Sequence, residues 1–246
     1  MTDMVTTTKA FWDEDAGHYD RIPQHYPTHD AEWAAWAAAV RRLLPEPPAR
    51  VLDAGAGTGF LSIICARLGH EVTATDLSSG MLAELRRKSD AEGLDIATVE
   101  CPADDVPNGA FDVIIERHLL WTLADPTATL RTWREGVPGA RLVLFESQWG
   151  DAADPKEAIC VYARKWYRRL IGESPHHHAE YPADVRRQLP LGNGTPPATL
   201  LRMLEASGWR NPKLERIADV EWASRLALGP LAYWMGVTPR FALSAE

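Results

Sequence analysis

The stretch Val-Leu-Asp-Ala-Gly-Ala-Gly-Thr-Gly, residues 51–59, decides the fold, because an apolar run here leads into an acid and three alternating glycines. The run predicts a buried strand. Gly55, Gly57 and Gly59 let the backbone turn sharply and approach a ligand more closely than a Cβ atom would permit. The helix expected from Phe60 offers unpaired N–H groups to whatever the turn holds. This stretch therefore predicts a nucleotide-cofactor loop between a strand and a helix.

The glycine spacing and two acids indicate which cofactor the loop holds. The loop reads G-x-G-x-G, whereas the dinucleotide fingerprint G-x-G-x-x-G needs glycine where this chain has Phe60. Asp53 would repel a pyrophosphate but suits a cationic or ammonium-bearing ligand. A second predicted strand, residues 71–75, ends at Asp76, where an acid in a βαβ unit accepts the ribose hydroxyls. NAD therefore fits poorly, and the sulfonium and amino groups of S-adenosylmethionine fit well.

Strand-like and helix-like segments alternate along the chain. A helix is expected over residues 30–44. Strands are predicted at residues 51–54, 71–75, 96–99, 111–115 and 141–146. This alternation predicts an α/β fold with a doubly wound, mostly parallel sheet and helices on both faces. Between residues 150 and 191 the pattern departs from it, which predicts a helical insertion over the active site.

Several segments resemble one known family. Residues 51–59, Asp76 with the Leu-Ser after it, and residues 111–115 resemble the first, second and fourth strand regions of class I S-adenosylmethionine-dependent methyltransferases. The resemblance implies a Rossmann-like sheet of seven strands, the last of them inserted antiparallel. Its two further strands are expected at residues 212–217 and 240–244. Residues 117–123 and 191–197 look like the bacterial small-molecule branch found in natural-product pathways.

The resemblance also implies a set of cofactor contacts. The methionine part would lie over the glycine loop, with Asp53 near its amino group, and the ribose would bind Asp76. Pro102 replaces an acid that the family commonly uses for adenine, so the next two residues become the candidates. An N-terminal segment would close over the site. The implied cofactor contacts are Tyr19, Asp53, Gly55, Ala56, Gly57, Gly59, Asp76, Leu77, Met81, Ala103, Asp104 and Arg117.

Candidate catalytic residues follow the fourth predicted strand. Methyl transfer from a sulfonium mainly requires alignment and exclusion of water, so a base is needed only for a protonated acceptor. His118 and Glu116 are the candidate bases beside the methyl group, and a positioning role for His118 is the competing interpretation. The aromatic residues among the candidate acceptor contacts could instead be buried core residues. The candidate acceptor contacts are Trp12, His18, Trp121, Tyr162 and Trp166.

Composition disfavours several functional classes. A net charge of −8 without a basic tract argues against a nucleic-acid partner. Three scattered cysteines suggest neither a disulfide framework nor a zinc site, and the adjacent histidines at residues 176–178 point in different directions, so no metal is expected. No apolar run reaches membrane length, which predicts a cytoplasmic protein without a membrane partner.

The 246 residues fit a single methyltransferase domain. Its parts are expected to be an N-terminal helical cap at 1–48, a cofactor-binding core at 49–149, a helical lid at 150–191 and a C-terminal helix with the last strands at 192–246. The expected activity is methyl transfer from S-adenosylmethionine to an O, N, S or C atom of a small molecule, in secondary metabolism. Two alternative functions stay open: a non-catalytic S-adenosylmethionine-binding regulatory or assembly protein, and an NAD(P)-dependent oxidoreductase. A homodimer is also possible.

Overall fold

The structure is a computed structural model that describes residues 2–22, 25–27, 29–149, 159, 163, 166, 181–226 and 238–246. The strands are β1 (Arg50–Ala54), β2 (Glu71–Asp76), β3 (Ile96–Glu100), β4 (Val113–Arg117), β5 (Arg141–Ser147), β6 (Lys213–Arg216) and β7 (Arg240–Ala245). The helices are α1 (Thr2–Tyr19), α2 (Asp30–Leu43), α3 (Phe60–Arg67), α4 (Ser79–Glu92), α5 (Pro126–Gly136), α6 (Ala183–Gln188), α7 (Pro197–Ala206) and α8 (Ala218–Leu226). A 3-10 turn covers Leu120–Thr122. None of these helices is long and apolar enough to cross a membrane.

The strands form one seven-stranded sheet in the order β3-β2-β1-β4-β5-β7-β6. β1 to β5 run parallel, and β7 is inserted antiparallel between β5 and β6. The strand order reverses between β1 and β4, and ligands of doubly wound sheets bind at such a switch point, outside the carboxyl ends of the strands. The predicted Rossmann-like fold, with its antiparallel last strand, is therefore confirmed.

Both faces of the sheet are covered, so the central strands are apolar on both sides. Val51 of β1 packs in one core cluster with residues of α2, α3 and α8, such as Trp36 and Ile64. The next residue, Leu52, packs in a second cluster with residues of α5 and α7, such as Trp133. Period-two alternation thus sends neighbouring side chains to opposite faces. The rigid sheet fixes the loops at its carboxyl edge.

β4 begins two residues later than the predicted strand 111–115. The Asp112 carboxylate accepts a hydrogen bond from the Arg50 backbone N–H at 2.8 Å and pairs with the Arg50 guanidinium at 2.7 Å, which holds Asp112 at the entrance of the strand. Pairing with β5 then continues to Arg117 opposite Phe145. Glu116 and Arg117 are therefore strand residues, contrary to the prediction that they follow the strand, and only His118 follows it.

The predicted insertion at residues 150–191 is only partly within the described residues. Tyr162 and the histidines at 176–178 lie outside them. Ile159 and Trp166 are 68% and 66% exposed, so neither of these two residues occupies a core position. Of the two interpretations of Trp166, a core position is therefore disfavoured, and acceptor binding stays a prediction. Within residues 181–191 the chain forms α6.

Candidate functional site

The glycine loop between β1 and α3 has the sharp geometry that its sequence predicts. Gly55 and Gly59 have positive φ angles of 65° and 86°. A Cβ atom on Gly55 would lie 2.6 Å from Leu119 Cδ1, and one on Gly59 would overlap the Leu85 side chain. The loop is tied to β2 because Ala56 N–H donates to the Thr75 carbonyl at 2.8 Å. Any side chain at these two positions would displace the residues packed on the loop.

Asp76 braces the loop from the end of β2. Its Oδ2 accepts from the Gly57 N–H and its Oδ1 from the Ser78 N–H, both at 2.8 Å. Burial raises the pKa of Asp76 to about 6, and the two backbone N–H groups oppose that rise. An ionised carboxylate has about four acceptor positions, so each oxygen retains capacity for a ligand hydroxyl. Asp76 can therefore hold both the loop and a ribose.

Asp53 lies beneath the same loop and is almost completely buried, with 1% of its surface exposed. The Ser62 hydroxyl of α3 donates to its Oδ2 at 2.5 Å. Burial raises the pKa of Asp53 to about 7, and the hydrogen bonds from Ser62 oppose the rise. Near neutral pH this carboxyl is thus divided between its neutral and ionised forms, and a nearby cation would favour the ionised form.

Arg117 supplies the opposite charge beside Asp53. Its guanidinium lies 4.2 Å from the centre of the Phe60 ring and donates from Nη2 to the His25 carbonyl at 2.6 Å. Burial lowers the pKa of Arg117, while the nearby Tyr19 and Asp53 raise it. Asp53 and Arg117 thus place a negative and a positive side chain at the same loop, and their contacts with a cofactor stay predictions.

Helix α1 closes over the loop, and we call α1 with the turn at residues 20–22 the strap. Asp13 of the strap accepts hydrogen bonds from the Ser78 hydroxyl at 2.6 Å and from the Gly80 N–H at 3.0 Å, at the start of α4. Lys9 donates to the Leu77 carbonyl at 3.1 Å. The strap therefore covers the residues expected to contact adenine and ribose.

A second contact fixes the other end of the strap. Asp20 accepts from the Thr58 hydroxyl at 2.6 Å and from Lys88 Nζ at 2.7 Å, and Lys88 Nζ also lies 3.9 Å from the centre of the Tyr26 ring. The cavity left at the loop has a volume of about 30 Å³, which suffices for a water molecule but not for a nucleoside. Its lining residues are Tyr19, Asp53, Gly55, Ala56, Gly57, Thr58, Phe60, Leu61 and Arg117. With the strap in this position, the described residues leave no room for a nucleoside at the loop.

His118 is held in an unusual backbone conformation directly after β4. Its φ angle is 59°, and its Nε2 lies 3.4 Å from the Ser147 hydroxyl. Burial lowers the pKa of His118 well below its usual value, and the charges of Arg117 and Arg240 lower it further. The imidazole is therefore neutral at pH 7 and a weaker base than an exposed histidine. Catalysis by His118 stays a prediction.

Glu116 has a buried carboxylic partner that the sequence reasoning missed. Glu116 Oε2 accepts from the Leu119 N–H at 2.9 Å. Burial raises the pKa of Glu116 to about 8, and burial together with the charge of Glu116 raises the pKa of Glu146 well above its usual range. Glu146 is the last residue of the predicted strand 141–146, and this position at the carboxyl end of a strand was the sequence signal that could have identified it as a site residue. The two acids lie near the carboxyl ends of neighbouring strands.

Aromatic side chains from several elements meet at this edge of the sheet. Ring centres are 6.4 Å apart for Trp12 and Trp121, 5.6 Å for Trp121 and Trp149, and 5.2 Å for Trp121 and Tyr181. Phe11 lies 4.9 Å from Tyr181. We call these five residues the aromatic cluster. The structure thus brings together the predicted Trp12 and Trp121, and adds Trp149, Tyr181 and Phe11, which no spacing pattern had connected.

Other predicted site residues lie away from the cavity. The Ala103 carbonyl accepts from the Trp133 indole N–H at 2.6 Å, and Asp104 is exposed. Met81 is 2% exposed. His18 Nδ1 is buried without a hydrogen-bond partner among the described residues. Their predicted roles stay untested, and the described residues contain no group of His, Cys, Asp and Glu that could hold a metal ion.

Comparison with known proteins identifies the core of the chain. Residues 51–137 match the family model described as a methyltransferase domain. A ubiquinone biosynthesis O-methyltransferase from Xanthomonas euvesicatoria is 34% identical over 144 residues, 56% of this chain and 59% of that protein. A demethylmenaquinone methyltransferase from Thermus thermophilus is 33% identical over 138 residues, 54% of this chain and 61% of that protein. The chain thus spans about three fifths of the length of the curated relatives it matches.

Solved structures extend the likeness beyond the matched core. The magnesium protoporphyrin IX methyltransferase of Synechocystis PCC 6803, solved with bound S-adenosylhomocysteine, superimposes with a TM-score of 0.59 at 16% identity, covering 99% of both chains. At this identity the likeness concerns the fold. Taken with the glycine loop and the strand order, the match identifies residues 51–137 as a methyltransferase domain, in a chain that has the fold of class I S-adenosylmethionine-dependent methyltransferases.

Proposed function

We propose that the protein transfers a methyl group from S-adenosylmethionine to a small-molecule acceptor. The observation that carries the proposal is the placement of Asp53, Asp76 and Arg117 around one glycine loop at the switch point of the sheet. A carboxylate, a ribose-binding acid and a guanidinium complement the ammonium, the ribose and the carboxylate of this cofactor. The relatives named for ubiquinone and menaquinone methylation support the same reaction class.

The residues around the loop divide the binding of the cofactor between them. Asp53 would bind the amino group and Arg117 the carboxylate of the methionine part, while Asp76 keeps its backbone contacts and accepts the ribose hydroxyls. Bound S-adenosylmethionine supplies an electrophilic methyl group on a sulfonium. The strap then excludes water, which methyl transfer requires because it is an alignment-controlled displacement.

The acceptor would approach from the aromatic cluster, which adjoins the segments that follow β4 and β5. An acceptor that arrives as a hydroxyl or an ammonium must lose a proton; neutral His118 could take it, whereas Glu116 could do so only in its ionised form. We also propose a secondary metabolite as the acceptor. This second proposal is supported by the likeness of residues 117–123 and 191–197 to the bacterial small-molecule branch.

The test is a transfer assay with the whole chain. S-adenosylmethionine is supplied with a panel of phenols, amines, thiols and quinone precursors, and mass spectrometry follows the gain of one methyl group together with S-adenosylhomocysteine formation. Methylation of at least one compound is expected, and it should be reduced in Asp76→Ala at a limiting concentration of S-adenosylmethionine. Tight S-adenosylhomocysteine binding without any methylation would favour a non-catalytic binding protein. Binding of NAD without S-adenosylhomocysteine binding would reject the proposal in favour of an oxidoreductase.

A further inference from the structure

We infer that the acceptor carries a basic nitrogen, whose protonated form binds the Glu116–Glu146 pair next to the aromatic cluster. The inference rests on the proposed function and names the substrate class of that site. The two acids of the pair lie on neighbouring strands. β4 and β5 are parallel neighbours, with Glu116 opposite Leu144, so Glu146 lies on the same face of the sheet one pleat further along.

The two carboxyl groups are buried and short of partners. Glu116 is 0% exposed and Glu146 is 1% exposed. Among the described residues, Glu116 Oε1 and both carboxyl oxygens of Glu146 have no hydrogen-bond partner within 3.5 Å. The Thr195 hydroxyl and the Ser147 N–H are near enough to lower the pKa of Glu146, but that hydroxyl donates to the Ser147 carbonyl at 2.8 Å. A buried polar atom without a partner costs free energy that proteins rarely leave uncompensated. An ammonium group offers three N–H donors, which equals the number of unpartnered oxygens.

The charged groups around the pair compensate its acidity only in part, because burial raises the pKa of both carboxyls and the positive charge of Arg117 only partly opposes that rise. Arg117 belongs to the same strand as Glu116, but its side chain points to the opposite face of the sheet, where it lies against Phe60 and donates to the His25 carbonyl. Asp53 of the neighbouring β1 lies on that opposite face as well, and its charge opposes ionisation of Glu116. Burial keeps a proton on the pair at neutral pH. An arriving ammonium would let that proton pass from the carboxyl oxygen to the buffer.

The aromatic cluster supports the same class of acceptor. Trp121 and Trp149 belong to the segments that follow β4 and β5, so they lie at the same edge as the two acids. The faces of aromatic rings attract cations and stack on flat groups. The Arg186 guanidinium already lies 5.3 Å from the centre of the Trp149 ring. A flat compound with a basic side chain therefore matches the cluster and the acids together. The closed strap covers this edge, and we expect acceptor and cofactor to enter when it opens.

Two probes of equal shape test the inference. Tryptamine and tryptophol share an indole and a two-carbon side chain, and they differ in an ammonium against a hydroxyl. Calorimetry on protein saturated with S-adenosylhomocysteine, in two buffers of different ionisation enthalpy, reports affinity and proton release. We expect tryptamine to bind about ten- to a hundredfold more tightly and to release a proton. Glu146→Gln should abolish both the preference and the proton release while leaving the affinity for S-adenosylhomocysteine unchanged.

The matched control is Glu135→Gln, which changes an exposed acid of α5 and should behave as the wild type. Equal affinities for the two probes, no tryptamine binding up to about 10 mM, or a preference that survives in Glu146→Gln would overturn the inference. If S-adenosylhomocysteine itself fails to bind, the proposed function fails as well. If it binds and only the preference is missing, the proposed function stands and the amine specificity alone is rejected.

Discussion

Replacing Asp76 with alanine should weaken the binding of S-adenosylhomocysteine by about 10- to 150-fold, because hydrogen bonds to a charged group are worth about 1.5–3 kcal/mol. The carboxylate has two structural contacts at 2.8 Å, with the Gly57 and Ser78 N–H groups, besides the expected ribose hydroxyls. Alanine removes all of them. Asp76→Asn retains one acceptor oxygen, but its amide NH₂ faces the other backbone donor, so we expect an intermediate loss.

Isothermal titration calorimetry measures this affinity, and thermal unfolding without ligand reports any damage to the loop itself. The control is Glu71→Ala, because Glu71 is an exposed acid at the opposite end of the same strand. It should leave the dissociation constant within about twofold, as expected for a surface substitution away from the site. An Asp76→Ala protein that keeps the wild-type dissociation constant would show that the ribose binds elsewhere, and an equal loss in Glu71→Ala would show a general effect of strand β2.

Three further predictions address selectivity, closure and catalysis. S-adenosylhomocysteine should bind in calorimetry and NAD should not, since the glycine spacing is wrong for a pyrophosphate; the reverse result would reject the assignment. Lys88→Met removes the contact between Lys88 and Asp20, so it should speed S-adenosylhomocysteine release about 5- to 30-fold, the equivalent of about 1–2 kcal/mol. Stopped-flow experiments measure this rate. An unchanged rate would mean that this contact does not hold the strap. His118→Ala should lower kcat about 10- to 1,000-fold if His118 is a base, and rescue by His118→Asn would instead indicate positioning.

The arrangement of the sheet was predictable because it depends on local patterns. Each predicted strand is a short run rich in apolar and β-branched residues, and the observed strands begin and end within about two residues of those runs. The shift at β4 came from one tertiary contact, the pairing of Asp112 with Arg50. That contact joins residues far apart in sequence, and no periodicity could have revealed it. The antiparallel last strand came from the family resemblance rather than from the pattern.

The glycine loop and Asp76 were also predictable, because a fixed spacing carries their geometry. The aromatic cluster was not, since Tyr181 meets Trp12 and Trp121 only after the chain has folded. The same holds for the strap, in which Asp13 caps a helix more than sixty residues away. Glu146 looked like an ordinary end of a strand, and only its burial next to Glu116 distinguishes it. Long-range contacts of this kind determine the part of the site that we propose binds the acceptor.

The burial of Asp53 leads to a final prediction on stability. The pKa of Asp53 in the folded protein, about 7, lies above its ordinary value of 3.8. Because folding raises this pKa, the contribution of Asp53 to the free energy of unfolding is fully present below about pH 4 and is lost as the pH rises to about 7. The total loss is at most about 4 kcal/mol. Asparagine cannot ionise and can still accept from Ser62. The free energy of unfolding of Asp53→Asn should therefore increase relative to that of the wild type as the pH rises.

Urea unfolding at about pH 5 and about pH 7.5 measures this difference. Comparing the two proteins at each pH cancels the other buried groups, such as His118 and Glu116, which titrate in both. Asp95→Asn, a change at an exposed acid, should give a difference that does not vary with pH. A carboxyl that is half ionised near neutral pH favours an ammonium over a phosphate, because only the cation stabilises its charged form. If the curves of Asp53→Asn and the wild type run parallel, Asp53 is ionised throughout, and its burial cannot explain the selection of the cofactor.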